Sequence, residues 1–220
     1  MQVTMTEKEE SIRELTNALL AGRAEEAKRS TFAALAKANT ERDVLDAIVD
    51  AVNIISDLQE IEQYDHDKLA SLENSVNTSL QVLEEWLAKS EGKFGLKVTV
   101  GPVGVRAGAL ACLALSASLR SVGFRSVSLG KTQTALDLLR NSEELGAKLV
   151  IPMLSADDDQ QLVNFVQAYE RGGFKNKFEV IPIVPKLSEN PQPNITIARN
   201  AGEAISKATQ WALKNSGAHG

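Results

Sequence analysis

The sequence predicts an α/β protein in which a helical bundle precedes a parallel sheet, and three features predict it. The first 90 of its 220 residues hold four segments with helical spacing of apolar positions, none interrupted by glycine or proline. A small polar stretch, Ser90-Glu91-Gly92-Lys93-Phe94-Gly95, then ends the pattern. Beyond it, short β-branched runs alternate with helical segments, the order that builds parallel sheets. Charge divides at the same place. Residues 1–90 hold 18 acidic and 9 basic side chains, a net of −9, and residues 91–220 hold 11 and 15, a net of +4. We therefore expect a helical cap domain over 1–90, a linker over 91–95 and an α/β domain over 96–220.

Each element has its own signal. Thr6-x-x-Glu9 fits a capping box, Ile12, Leu15, Leu19 and Leu20 follow at helical spacing, and Gly22 supplies a stop. A second helix is expected from Ala24 to Ala38, with Phe32 and Leu35. A third runs from Thr40 to Glu60, with Val44, Ile48, Val52 and Ile55 on one side. The fourth, Asp67 to Lys89, carries Leu69, Leu72, Val76, Leu80, Leu83 and Leu87 as a stripe. Four helices with short connections read as an antiparallel four-helix bundle.

In the second half, strands are expected at Lys97–Gly101, Arg125–Leu129, Lys148–Met153, Phe178–Val184 and Asn194–Ala198. Helices are expected at 107–121, Thr132–Leu145, Asp158–Arg171 and Gly202–Lys214. This is a flavodoxin- or Rossmann-like five-stranded parallel sheet with helices on both faces. Ligands in such sheets bind beyond the carboxyl ends of the strands. Here those edges are Gly101–Arg106, Gly130–Thr132, Leu154–Asp159 and Pro185–Asn190.

Composition narrows the function. No run of about 18 apolar residues appears, and the first residues lack the apolar stretch of a signal peptide, so neither a membrane span nor export is expected. A single cysteine, Cys112, forms no internal disulfide, and a cytoplasmic setting fits best. No dense basic stripe with interleaved aromatics marks a nucleic-acid partner. The two histidines, His66 and His219, leave little for a metal site or a nucleophile–histidine pair.

The order of a helical bundle, a short linker and a five-stranded α/β domain resembles the corrinoid (cobalamin-carrying) proteins of methyltransferase systems. Leu15-x-x-Ala18-Leu19-Leu20-Ala21-Gly22-x-x-Glu25-Glu26-Ala27 looks like that family's opening helix–turn–helix. Glu60-Ile61 and the helix after it look like its last bundle elements. The stretch Leu119 to Gly130 is similar to its helix end, strand and Leu-Gly turn, and Gly146–Ile151 to its third strand. The resemblance implies a cobalamin cofactor and a methyltransferase or activating partner protein. It also implies no catalytic activity of the chain alone, because partner enzymes catalyse the methyl transfers.

The family's cofactor-binding motifs depart together. Its Asp-x-His-x-x-Gly loop, whose histidine ligates cobalt from below, falls on Arg106-Ala107-Gly108-Ala109-Leu110-Ala111 when counted back from Gly123. With Gly108 as the closing glycine it falls on Val103-Gly104-Val105-Arg106-Ala107-Gly108. Neither alignment supplies a histidine. The family's Ser-x-Leu falls around Pro152–Leu154 or on Ser155, and its glycine-rich loop is replaced by Val184-Pro185 through Pro191. The expected cofactor-contacting residues are therefore Gly104, Val105, Arg106, Gly108, Leu154, Ser155 and Pro185, with Arg106 facing a phosphate near a helix N-terminus. His66, between the third and fourth helices, is the only histidine placed to reach cobalt from above; such a histidine is usually a surface residue. Three readings stay open: a corrinoid bound without the lower histidine, another ligand in the same crevice, or no ligand and a regulatory or partner-binding role.

Other features have plainer accounts. Gly101-x-x-Gly104-x-x-x-Gly108 is not the dinucleotide fingerprint, and Lys131 stands where an acidic residue should hold a ribose. Asp157-Asp158-Asp159 fits helix N-capping better than a cation site. Cys112 lies in an apolar helix as packing, and Trp211 covers the sheet edge.

Overall fold

The computed structural model describes residues 6–37, 39–61, 64–104, 108–131, 133–154, 159–185 and 194–216. The chain divides into two compact units, Met1–Lys89 and Ser90–Gly220.

The first unit holds five helices among its described residues: α1 (Glu7–Ala21), α2 (Ala24–Ala36), α3 (Glu41–Ile61), α4 (His66–Val82) and α5 (Glu84–Ser90), whose last residue enters the second unit. The capping box opens α1: Glu9 N–H donates to Thr6 Oγ1 at 3.2 Å, and Thr6 N–H donates to Glu9 Oε2 at 2.8 Å. Gly22 closes α1 at φ 73°, and a Cβ there would meet Ser71 Cβ at 3.1 Å. The expected fourth helix is divided. At Leu83 the N–H returns to Leu80 O, three residues back, which tightens the turn and ends α4. That small rotation leaves both Leu83 and Leu87 in the core, at 1% and 0% exposure. Around them Leu15, Leu19, Leu45, Ile48, Val52, Leu72 and Val76 are fully buried.

A reciprocal pair also opens α3. Thr40 N–H donates to Asp43 Oδ2 and Asp43 N–H to Thr40 Oγ1, while Lys8 Nζ reaches the same Oδ2 at 2.9 Å. These contacts, the Thr40 backbone N–H first, hold the Asp43 carboxyl down at about 2. Since the folded value lies below the unfolded one, near 4, the stability Asp43 contributes is present above about pH 4 and lost as pH falls toward 2. Asp43→Asn should therefore flatten the acid limb of a plot of urea midpoint against pH between those values. An unchanged slope would show that the carboxylate contributes nothing there.

The second unit is a parallel sheet in the order β2-β1-β3-β4, made of β1 (Lys97–Pro102), β2 (Arg125–Ser128), β3 (Leu149–Met153) and β4 (Glu179–Val180). Helices α6 (Gly108–Ser121) and α9 (Ala201–Ser216) cover one face, over Val98, Val100, Leu149, Ile151, Ile181 and Ile183. Helices α7 (Ala135–Glu144) and α8 (Asp159–Arg171) cover the other, where Phe165 packs among Leu138, Val150, Leu162 and Phe178. Alternation of neighbouring strand residues between the two faces is the period-2 signature of a sheet buried on both sides.

Five strands were expected, and the described residues form four. Pro152 in β3 has no N–H, so the rung it would donate to Ile181 O is missing and β4 shortens to two residues. Pairing resumes with Ile183 N–H on Pro152 O at 2.9 Å and Leu154 N–H on Ile183 O at 3.0 Å. The expected fifth strand, Asn194–Ala198, is reduced to one parallel bridge between Ile183 and Ala198.

Residues 91–95 are tied to the second unit. Gly92 and Phe94 N–H both donate to Gly123 O, the Phe94 and Phe124 ring centroids lie 4.8 Å apart, and Glu91 pairs with Arg120. No helix among the described residues is long and apolar enough to cross a membrane.

Candidate functional site

A sheet ordered β2-β1-β3-β4 has its topological switch point between β1 and β3, because the chain leaves β1 to one side for β2 and returns on the other for β3. A ligand of this fold is expected in the crevice outside those two carboxyl ends. The residues there are Val103 and Gly104 after β1, Gly108 at the start of α6, and Leu154 after β3.

The end of β1 is heavily bonded. Val103 N–H donates to Met153 O at 2.9 Å, and Val103 O accepts from Gln161 Nε2 at 2.9 Å. On the other side, Gln133 N–H donates to Pro102 O at 3.2 Å and Gly104 N–H donates to Gln133 O at 3.3 Å. Asn141 Nδ2 holds Gln133 Oε1 at 2.7 Å, and Gln133 Nε2 donates to Leu129 O. Amides from the loop before α7 and from the first turn of α8 thus converge on the last residues of β1.

Two glycines are required by this geometry. Gly104 has φ 69°, and a Cβ there would lie 2.5 Å from Gln161 Nε2. Gly108 is buried, and a Cβ there would lie 2.7 Å from Pro102 Cβ. Below them, on the α6 side of the sheet, Cys112 Sγ contacts Met153 Sδ at 3.3 Å. Cys112 is 0% exposed, and burial pushes its thiol pKa up, so it stays a neutral packing group.

The expected site residues take different places. Gly104 is exposed two residues past β1, Gly108 is buried at the first position of α6, and Leu154 is 5% exposed just past β3. Pro185 is exposed just past Val184. His66 is exposed at the first position of α4, in the first unit, behind the Asp65 N-cap. Val105, Arg106 and Ser155 lie outside the described residues, as do Asp157, Asp158, His219 and 186–193. Gln133, Met153 and Gln161 were not anticipated. Gln161 in the first turn of an amphipathic helix reads as a solvated polar residue, and nothing in its spacing signals a reach back to β1.

No family model matches the chain, and no curated protein matches it. Solved structures do. The fold is similar to that of a monomethylamine corrinoid protein from Methanosarcina barkeri, at a TM-score of 0.65 and 15% identity, over 92% of this chain and 98% of that one. Looser likenesses are found to a cobalamin-binding protein from Desulfitobacterium hafniense, at TM-score 0.45 and 16% identity over 91% of this chain and 98% of that one. A third is to the methanol:cobalamin methyltransferase complex of Methanosarcina barkeri, at 0.47 and 12% over 96% and 86%. The first of these carries the assignment: the chain has a corrinoid-protein-like α/β fold.

Among the described residues of the second unit there is no histidine. Gly108 has no side chain, and the place where one would begin is already against Pro102.

Proposed function

We propose that this chain is a corrinoid-protein-like module of a methyl-transfer system, holding a cobalamin-type ligand at the carboxyl edge of its sheet without a histidine beneath the metal. The reading is supported by the topological switch point at the carboxyl ends of β1 and β3, beside the exposed Gly104, in a fold similar to that of a corrinoid protein. Fold likeness supplies the ligand class by analogy, and the edge supplies its place. Bound there, such a ligand would supply the methyl-carrying chemistry. The chain's own part is to orient it, with the β1 end held rigid by Gln133 and Gln161. Its partner is a methyltransferase or an activating protein, and the chain turns over nothing alone.

Purification with hydroxocobalamin followed by desalting tests this reading. A retained red chromophore whose spectrum lacks protein-histidine ligation is the expected result. Because His66 is exposed on α4, His66→Ala should leave that spectrum unchanged. A colourless protein after desalting overturns the reading and leaves a cofactor-free interaction module.

A further inference from the structure

We infer that the helical unit binds a second copy of this chain, the outer face of α2 on one molecule docking against the outer face of α3 on the next. Among the described residues of that unit, these faces carry its two exposed large apolar side chains, Phe32 on α2 at 54% and Ile54 on α3 at 40%.

The surroundings of the two side chains have opposite charge. One turn before Phe32 stand Lys28 and Arg29, both exposed. Arg29 Nε donates to the backbone carbonyl of Glu25, and neither cation pairs with a carboxylate among the described residues. Ile54 instead has Asp50 one turn before it and Asp57 one turn after, both exposed. On the same helix Asp46 is taken by Arg42 and Asp43 by Lys8, whereas Asp50 and Asp57 have no cation among the described residues. A carboxylate thus lies on either side of Ile54, and Lys28 and Arg29 meet one whichever way the two helices run. Residues 1–90 carry a net −9, so two copies repel in most approaches. Lys28 and Arg29 make a place where another copy is attracted instead, and seating Phe32 against Ile54 takes both from water.

Packing decides the form of the assembly. Helix α1 packs against both α2 and α3, and α2 closely against α4, whereas α2 and α3 touch little. The two helices lie across the unit from each other, so their outer faces point apart. Two molecules cannot satisfy both faces at once. The contact is heterologous, passing head to tail from copy to copy, and growth continues past two.

Sedimentation equilibrium of the full chain at low ionic strength reads this. Between about 10 μM and about 1 mM, the mean mass of the wild type should rise past that of a dimer. Salt at about 0.5 M should weaken the association by about tenfold. Phe32→Asp sets a like charge against the acidic face, and Ile54→Asp removes the seat of the ring. Both positions are exposed, and circular dichroism should show both variants folded. Each variant alone should stay a monomer. Mixed in equal amounts, they should form dimers and stop there. The intact α2 face of the Ile54→Asp variant meets the intact α3 face of the Phe32→Asp variant, while the two altered faces repel. A wild type that is still monomeric at about 1 mM overturns the inference and leaves the two faces to a different protein. Association that persists in either variant alone also overturns it, as does a mixture that stays monomeric.

Discussion

Alanine at Phe165 should lower the stability of the second unit by about 3–5 kcal/mol, the usual cost of deleting a buried aromatic ring. Phe165 is 0% exposed on α8 and packs among Leu138, Leu162, Val150 and Phe178, which belong to two helices, a strand and the segment leading into β4. Side chains anchored on so many separate elements cannot all move inward, so the cavity stays open and the full cavity term is felt. A domain of this size has about 5–15 kcal/mol in hand, so the variant should sit near its folding threshold. Urea unfolding followed through the fluorescence of Trp211, which packs against the opposite face of the same sheet, measures the loss. A change below about 1 kcal/mol would mean that the face collapses around the missing ring.

Valine at Gly123 should be nearly as damaging, by a different route. Gly123 has φ 113°, a conformation that costs a residue with a side chain about 1–3 kcal/mol before any contact is counted. A Cβ there would also lie 2.6 Å from Lys93 Cβ. The two effects combine because Gly123 O accepts from both Gly92 and Phe94, and moving it releases residues 91–95 from the second unit. Tryptic cleavage after Lys93 should then accelerate by about tenfold or more, since cleavage follows local opening. Unchanged cleavage, with the protein still folded, would show that 91–95 are held by the Phe94–Phe124 stack and the Glu91–Arg120 pair instead.

Most of the fold was legible because its signals are local. The Thr6–Glu9 capping box, the Gly22 stop and the stripe Leu72, Val76, Leu83 and Leu87 each depend on neighbours within a few residues. The divided fourth helix was not legible, since no glycine or proline marks Leu83 and the tightened turn answers to core packing. The shortened sheet edge was half legible. Pro152 is visible in the sequence, but the rung it deletes is known only once β4 is seen to lie beside it.

The candidate site divides in the same way. Gly104, Gly108 and Leu154 were named from strand ends and from spacing against a family motif, and the structure puts them around the β1–β3 carboxyl edge. Gln161 and Met153 were missed because their partners are far away in the chain. Val103 lies 58 residues from Gln161, and Cys112 lies 41 from Met153.

By itself, then, the sequence determined the α/β class of the fold and the order of its parts. These follow from residue identity and from periodicities of two and 3.6 residues, which any stretch of chain carries within itself. Only the tertiary structure decided that an amide from α8 meets the carbonyl of Val103 just past β1, and that the sulfurs of Cys112 and Met153 lie against each other. Such contacts depend on which elements are brought side by side, and a side chain's reach across a sheet leaves no trace in local spacing.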